Sequence, residues 1–318
     1  MKAIWLENKI ARLRDDLPVP TIGAGEALIK VNLAGVCSTD LEMVKGYYPF
    51  TGVMGHEFTG MVEEAPDAPE WLGKRVAGEI NIVCGKCEAC CNGRSTHCAN
   101  RQTLGIHNYD GVFAEYVRLP IANLHAVPDA LADEQAVFTE LVAAALEVTE
   151  QVHLQPTDRV VVVGAGRLGL LIAQALKLTG CDLTVVVRRP EPARLLDAWG
   201  IRSAYATELQ DKEADVVVEV TGSAQGFATS RRLVRPRGRV VLKSTFAGDV
   251  SVDLSSLVVD EVTLTGSRCG PFAPALRLME AGAIQTQPLI TATYPLEEGL
   301  QALEHAARPG TLKVLIKP

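Results

Sequence analysis

The run Arg159-Val160-Val161-Val162-Val163 leads directly into Gly164-Ala165-Gly166-Arg167-Leu168-Gly169, and a helical apolar pattern follows over residues 167–178. A β-branched run reads as a buried strand, and G-x-G-x-x-G between strand and helix is the fingerprint of a loop that seats a dinucleotide pyrophosphate. Gly164 permits the tight turn, Gly166 lets the backbone approach the pyrophosphate, and Gly169 lets helix and strand pack closely. The helix opened by Arg167 and Leu168 then offers unpaired N–H groups to the phosphates. This segment commits its surroundings to strands alternating with helices, hence to a parallel sheet covered on both faces.

The rest of the second half fits that frame. Strand-like runs lie at 183–187, 216–220, 239–243 and 262–265, with a helical stretch at 192–199. Residues 132–154 lack Gly and Pro and carry apolar side chains at helical spacing, which predicts one long helix. The first half differs. Short runs such as 27–31 and 113–117, broken by glycine and proline, predict a β-rich, barrel-like domain, and 311–316 predicts one more strand. A chain of 318 residues accommodates two domains at about 100–200 residues each. The fold class is α/β: a β-rich domain over 1–130, an α/β domain over 131–274, and a C-terminal return over 275–318.

The strand after the glycine loop bears on the dinucleotide. An acidic residue at its tip holds the ribose 2′-hydroxyl of NAD, whereas arginine meets the 2′-phosphate of NADP. The tip is Val187-Arg188-Arg189-Pro190, with no acidic residue. Arginine clamps phosphate through a bidentate fork, so Arg188 and Arg189 favour NADP over NAD.

Five of the eight cysteines crowd into fifteen residues, four of them spaced C-x2-C-x2-C-x7-C as Cys84, Cys87, Cys90 and Cys98. In a reducing compartment such a cluster holds metal rather than disulfides. Four thiolates wrap one tetrahedral Zn²⁺ at about 2.3 Å per bond and leave no open position, which makes the site structural. Gly85 and Gly93 relieve the turns, Cys91 is spare, and an iron–sulfur centre would use the same ligand type. A second set lies outside the cluster: Cys37 within Gly35-Val36-Cys37-Ser38-Thr39-Asp40, and His56 with Glu57 in Gly55-His56-Glu57-Phe58. A catalytic zinc takes three protein ligands and keeps a fourth place open. Cys37 and His56 suit it, with Glu57 or Glu140 as the third. Each alone is weak evidence, since a lone cysteine is usually a small buried hydrophobe.

Composition narrows the partners. The charge of −7, from 31 basic and 38 acidic residues, and the absence of a basic stripe disfavour nucleic acid. Met1-Lys2-Ala3-Ile4-Trp5-Leu6 is charged too early for a signal peptide. The longest apolar stretch, from Val160, is broken by Arg167 and three glycines and does not read as a membrane span. A soluble cytoplasmic enzyme is expected.

In this order the motifs resemble the zinc-containing medium-chain dehydrogenase/reductase family, which includes alcohol, sorbitol, glucose and threonine dehydrogenases. The resemblance covers essentially the whole chain. It rests on the Cys37, His56 and four-cysteine motifs, on Gly111-Val112-Phe113-Ala114-Glu115-Tyr116, Phe138-Thr139-Glu140, the glycine loop and Gly266-Ser267-Arg268. It implies a GroES-like catalytic domain, rejoined by the C-terminal segment, and a doubly wound Rossmann domain. It implies hydride transfer between NAD(P) and a secondary alcohol or polyol, or the matching carbonyl, with one catalytic and one structural zinc. Cys37 and His56 would ligate the catalytic ion. Glu140 falls where the polyol branch places a carboxylate near the metal, and Glu57 matches a residue that is a ligand in some members only. Thr39 would contact the substrate oxygen and relay its proton, and Asp40 would orient His56. Thr221 and Arg268 would flank the nicotinamide end. Arg189-Pro190 resembles NADP-dependent bacterial secondary alcohol dehydrogenases. A homodimer or homotetramer is implied.

The chain also departs from the pattern. Glu42 stands where many members carry a relay histidine, Leu141 replaces a common proline, and the segment 62–75 is short. Tyr47, Tyr48 and Phe50 either line the pocket or pack in the core. Two rivals remain: a zinc-free quinone or enoyl reductase, which would need neither cysteine set, and a zinc-stapled dinucleotide sensor without turnover.

Overall fold

In the computed structural model, which describes residues 1–245 and 250–318, the chain divides into two units. The first comprises Met1–Glu140, Phe272–Gly282 and Leu289–Pro318; the second comprises Leu141–Pro271 and Ala283–Pro288.

The first unit is built mainly on antiparallel strands, with Gln102–Leu104 parallel to Asn108–Tyr109 and Ile290–Pro295 parallel to Lys313–Lys317. β1 (Ala3–Glu7) and β2 (Ile10–Arg14) form a hairpin. β3 (Glu26–Gly35) is long enough to pair with three partners, and α1 (Ser38–Lys45) follows it. β4 (Gly52–Val53) adds to β1, β5 (Glu57–Glu64) runs antiparallel to β3, and β6 (Arg75–Gly78) pairs with β5. A small lobe follows, with β7 (Asn81–Ile82), α2 (Glu88–Cys91), β8 (Gln102–Leu104) and β9 (Asn108–Tyr109). β10 (Tyr116–Pro120) then pairs with β3, and β11 (Leu124–Ala126) with β6.

Two expectations fail locally. The run 113–117 becomes a strand only from Tyr116, because Phe113 has another task. Its N–H donates to Met54 O, its carbonyl accepts from Ile4, and its ring packs where a Cβ on Gly55 would stand 2.4 Å from Cδ1. The single helix over 132–154 is two: α3 (Asp133–Ala136) and α4 (Thr139–Gln151). Phe138 is fully buried at the break, and the Thr139 hydroxyl donates to Ala136 O at 2.6 Å, a local bond that competes with helix continuation.

The second unit carries the parallel sheet. β12 (Arg159–Val163), α5 (Arg167–Lys177), β13 (Asp182–Val186), α6 (Pro190–Ala198), β14 (Arg202–Ala204), β15 (Ala214–Glu219), α7 (Ala224–Leu233), β16 (Val234–Leu242), α8 (Leu254–Val259) and β17 (Thr263–Gly266) follow in sequence. The strand order is β14-β13-β12-β15-β16-β17 and every pairing is parallel. That is the doubly wound order with a switch between its first and fourth strands. Val160 to Val163 are all buried, as a strand covered on both faces requires. α6 starts two residues earlier than expected, because Pro190 sits at the first helical position where its fixed φ suits the helix.

Four elements complete the chain: α9 (Phe272–Glu280), β18 (Ile290–Pro295), α10 (Gly299–Ala306) and β19 (Lys313–Lys317). β19 pairs antiparallel with β3, setting Leu315 opposite Gly35 and Ile316 opposite Ala34, so the C-terminal strand joins the first unit's sheet. Among the described residues no helix is long and apolar enough to cross a membrane.

Candidate metal centres and dinucleotide loop

Cys37, His56 and Glu57 meet because β3 and β5 are neighbours. Gly35 at the end of β3 lies opposite Glu57 at the start of β5, and Cys37 caps α1 just beyond. One ligand atom from each of the three lies within 4.8 Å of the others. Asp40 ties the group together. One carboxylate oxygen accepts the Cys37 N–H at 2.8 Å, and the other stands 3.2 Å from His56 Nδ1, without hydrogen-bond alignment. Burial alone would lower the His56 pKa, but the Asp40 carboxylate and then Cys37 outweigh it and hold the imidazole well above its usual range. Glu57 is 0% exposed, and one of its oxygens accepts from Lys313, also 0% exposed. Lys313 Nζ further donates to Val36 O at 3.3 Å. The other Glu57 oxygen is buried without a hydrogen-bond partner. An orphaned carboxylate oxygen beside a thiol and an imidazole is a donor set that suits zinc. Thr39 Oγ1 lies 3.8 Å from Cys37 Sγ.

The four-cysteine lobe fits a second ion. Sγ–Sγ separations are 3.5 Å for Cys87–Cys90, 3.8 Å for Cys87–Cys98 and 3.5 Å for Cys98–Cys84. A tetrahedron with bonds of about 2.3 Å has edges of about 3.8 Å. Backbone N–H groups of Lys86 and Cys87 draw the Cys84 thiol down to about 6, while burial and then the neighbouring thiols push Cys90 up to about 12. Thiolates this crowded cannot all ionise without a cation among them. Cys91 is exposed and lies outside the group.

The glycine loop has the expected geometry. Gly164 has φ +121° and Gly166 caps α5. A Cβ on Gly169 would stand 2.0 Å from Gly164 O, so only glycine fits, while a Cβ on Gly166 would meet nothing within 4 Å. Thr221, past β15, donates its N–H to Glu219 Oε1 at 2.7 Å, and a Cβ on Gly164 would meet Thr221 and Val220. Arg188 and Arg189 are exposed beyond β13, with Arg189 capping α6.

Comparison with known proteins agrees with this geometry. Residues 23–129 match the alcohol dehydrogenase GroES-like domain, and residues 168–281 match the zinc-binding dehydrogenase domain. A sorbitol dehydrogenase of Halalkalibacterium halodurans is 30% identical over 95% of this chain and 94% of its own length. The chain belongs to the zinc-containing medium-chain dehydrogenases. A zinc-binding dehydrogenase of Sinorhizobium meliloti, solved with NADP, superposes with a TM-score of 0.91 at 29% identity, over 100% of this chain and 99% of its own. An Escherichia coli alcohol dehydrogenase solved with NADH also gives 0.91, at 26% identity and the same coverage. This medium-chain dehydrogenase is therefore a GroES-like unit and a Rossmann unit on one chain, and a zinc-dependent oxidoreductase using NAD or NADP.

Within the dehydrogenase, the structure separates residues the sequence left together. Glu57 joins the Cys37 and His56 group; Glu140, at the start of α4, is not among the ligand atoms so gathered. Tyr47 and Tyr48 are exposed rather than core residues, and Tyr48 stacks edge-on against His107. Glu42 accepts from Lys45 at 2.7 Å. Sequence reasoning missed Lys313. Its signal was a lysine opening the apolar run Val314-Leu315-Ile316, but only the β19–β3 pairing brings it to Glu57.

Proposed function

We propose that this dehydrogenase transfers a hydride between NADP and a polyol or secondary alcohol, with its catalytic zinc on Cys37, His56 and Glu57. The buried cluster carries the proposal: three suitable ligand atoms within 4.8 Å, one carboxylate oxygen still unpartnered. When bound, zinc would supply Lewis acidity at the alcohol oxygen and a nicotinamide would supply the hydride acceptor. The Asp40 carboxylate stands 3.2 Å from Nδ1 of His56, which leaves Nε2 for the metal. Lys313 anchors one oxygen of Glu57 and directs the carboxylate. The Thr39 hydroxyl, beside Cys37, takes the alcohol proton and passes it toward solvent. Glu140 accepts a hydrogen bond from a further substrate hydroxyl, which favours a polyol. Cys84, Cys87, Cys90 and Cys98 hold the structural ion.

The glycine loop, with Arg167 and Leu168 opening α5, seats the pyrophosphate, while Thr221 and Arg268 serve the nicotinamide end. The choice of NADP rests on Arg188 and Arg189. Both are exposed past β13, make no hydrogen bond or ion pair among the described residues, and have no acidic residue at the strand tip to repel a phosphate. A second copy pairs with the edge of β17 that has no strand partner among the described residues. Beside that edge α8 exposes Leu254, Val258 and Val259 at 69%, 76% and 80%, and an unpaired strand edge next to apolar side chains invites a two-fold partner. The cytoplasm, which keeps eight cysteines as thiols, is the compartment such chemistry suits.

The test is a panel of alcohols and polyols assayed with NAD and NADP in parallel, on protein of measured zinc content. We expect two zinc ions per chain. Cys37→Ser and His56→Ala should lose turnover and keep dinucleotide binding, and Arg189→Ala should lose about tenfold or more in NADP affinity with NAD little changed. Full activity in either zinc-ligand variant, or an unaltered NADP preference in Arg189→Ala, would overturn the respective assignment.

A further inference from the structure

The sheet of the second unit has two halves, and they are chemically unlike. The glycine loop and the arginine pair sit on β12 and β13. A dinucleotide crossing the C-terminal edge at the β12–β15 switch therefore places its nicotinamide half over β15, β16 and β17. Lys243 stands at the end of the middle strand of that half. Its N–H extends the ladder, donating to Glu219 O at 2.9 Å. Its side chain turns inward and the residue is only 8% exposed. The ammonium donates to Arg268 O at 2.6 Å and to Ser267 Oγ at 3.0 Å, both just past the end of β17. The cation is thus fixed level with the strand ends, where screening by water is weak. Charged residues near it include Arg268 in the same loop, Glu219 at the end of β15 and Glu147 on α4, whose carboxyl is pushed up by burial and drawn down by Lys243.

We propose that Lys243 sets which redox form of the dinucleotide binds better. The nicotinamide ring carries a positive charge when oxidised and none when reduced. A fixed ammonium at that end repels the oxidised ring and leaves the reduced ring unopposed, so reduced cofactor is held more tightly, relative to oxidised, than a neutral side chain would allow. This rests on the dinucleotide lying across the edge as proposed above. For unit charges roughly 10 Å apart at an effective dielectric near 20, loss of the ammonium changes the ratio of the two dissociation constants by about tenfold.

The experiment measures binding, not turnover. Dissociation constants for NADPH (nicotinamide fluorescence) and NADP⁺ (competition) are taken on the full-length, zinc-loaded protein, with the NADH and NAD⁺ pair in parallel. Wild type, Lys243→Met, Lys243→Gln and Lys243→Arg are compared. The oxidised-to-reduced ratio of dissociation constants should fall about tenfold in Lys243→Met and Lys243→Gln, and stay within about twofold of wild type in Lys243→Arg. Being a ratio, it is insensitive to the fraction of folded protein. An unchanged ratio in both neutral variants overturns the proposal. A fall in Lys243→Arg equal to that in Lys243→Met does so too, since shape rather than charge would then be responsible. Failure of wild type to bind either form would overturn the dinucleotide site itself, and this role with it.

Discussion

Lys313→Met removes the ammonium and keeps most of the side chain's length, so it isolates the charge. Lys313 and Glu57 are both fully buried, and Lys313 also donates to Val36 O. Breaking a buried ion pair by deleting one partner costs about 3–5 kcal/mol, and the lost carbonyl hydrogen bond about 1 kcal/mol more. A loss of about 4–6 kcal/mol is large against a total stability of roughly 5–15 kcal/mol. The assay is urea unfolding followed by far-ultraviolet circular dichroism, on chelated and zinc-reloaded protein, for wild type, Lys313→Met, Glu57→Gln and the double variant. The chelated single variant should show the full loss. The double variant should recover most of it, since no buried charge is left unpaired. Zinc should narrow the gap, because the ion then neutralises Glu57. A chelated Lys313→Met within about 1 kcal/mol of wild type would refute the reasoning, as would a double variant as unstable as the two singles summed.

Other expectations follow from single distances. Gly169→Ala should abolish dinucleotide binding and destabilise the second unit, since its Cβ would meet Gly164 O at 2.0 Å; tight NADPH binding by that variant would contradict this. Cys98→Ser should leave one zinc per chain in a metal assay and lower the thermal midpoint, whereas two retained ions would show that the lobe is not the second site. Asp215 is pulled below the usual carboxylate range: burial alone would raise it, but the Arg159 N–H at 2.8 Å and Arg235 at 2.6 Å outweigh that. A depressed folded pKa contributes stability above the unfolded value of about 3.9 that is lost as pH falls through the folded one. Asp215→Asn should therefore flatten the acid limb of the stability curve, and an unaltered limb would count against it.

What the sequence made legible was local. The glycine loop needs six consecutive residues, and the lobe needs four thiols within fifteen, so spacing alone predicted both. Glu57 and Glu140 could not be separated from spacing, because each depends on which strand or helix packs beside Cys37. Lys313 was invisible for the same reason: it opens a strand that alternation would turn either way, and only antiparallel pairing with β3 settles its face. The helix expected over 132–154 failed because apolar periodicity does not register a threonine that bonds back to its own turn. Phe113 was assigned to a strand on β propensity, but its backbone serves Ile4 and Met54 instead.

The two candidate metal sites differ in when they can be finished as the chain is synthesised. The lobe closes within a short stretch, so it can take its ion while the Rossmann unit is still unmade. Glu57 waits 256 residues for the ammonium that lies against it. A nascent chain that has folded only the N-terminal part of its first unit therefore holds a carboxylate still waiting for Lys313, and on the proposed zinc assignment a cation arriving then would stand in for that lysine.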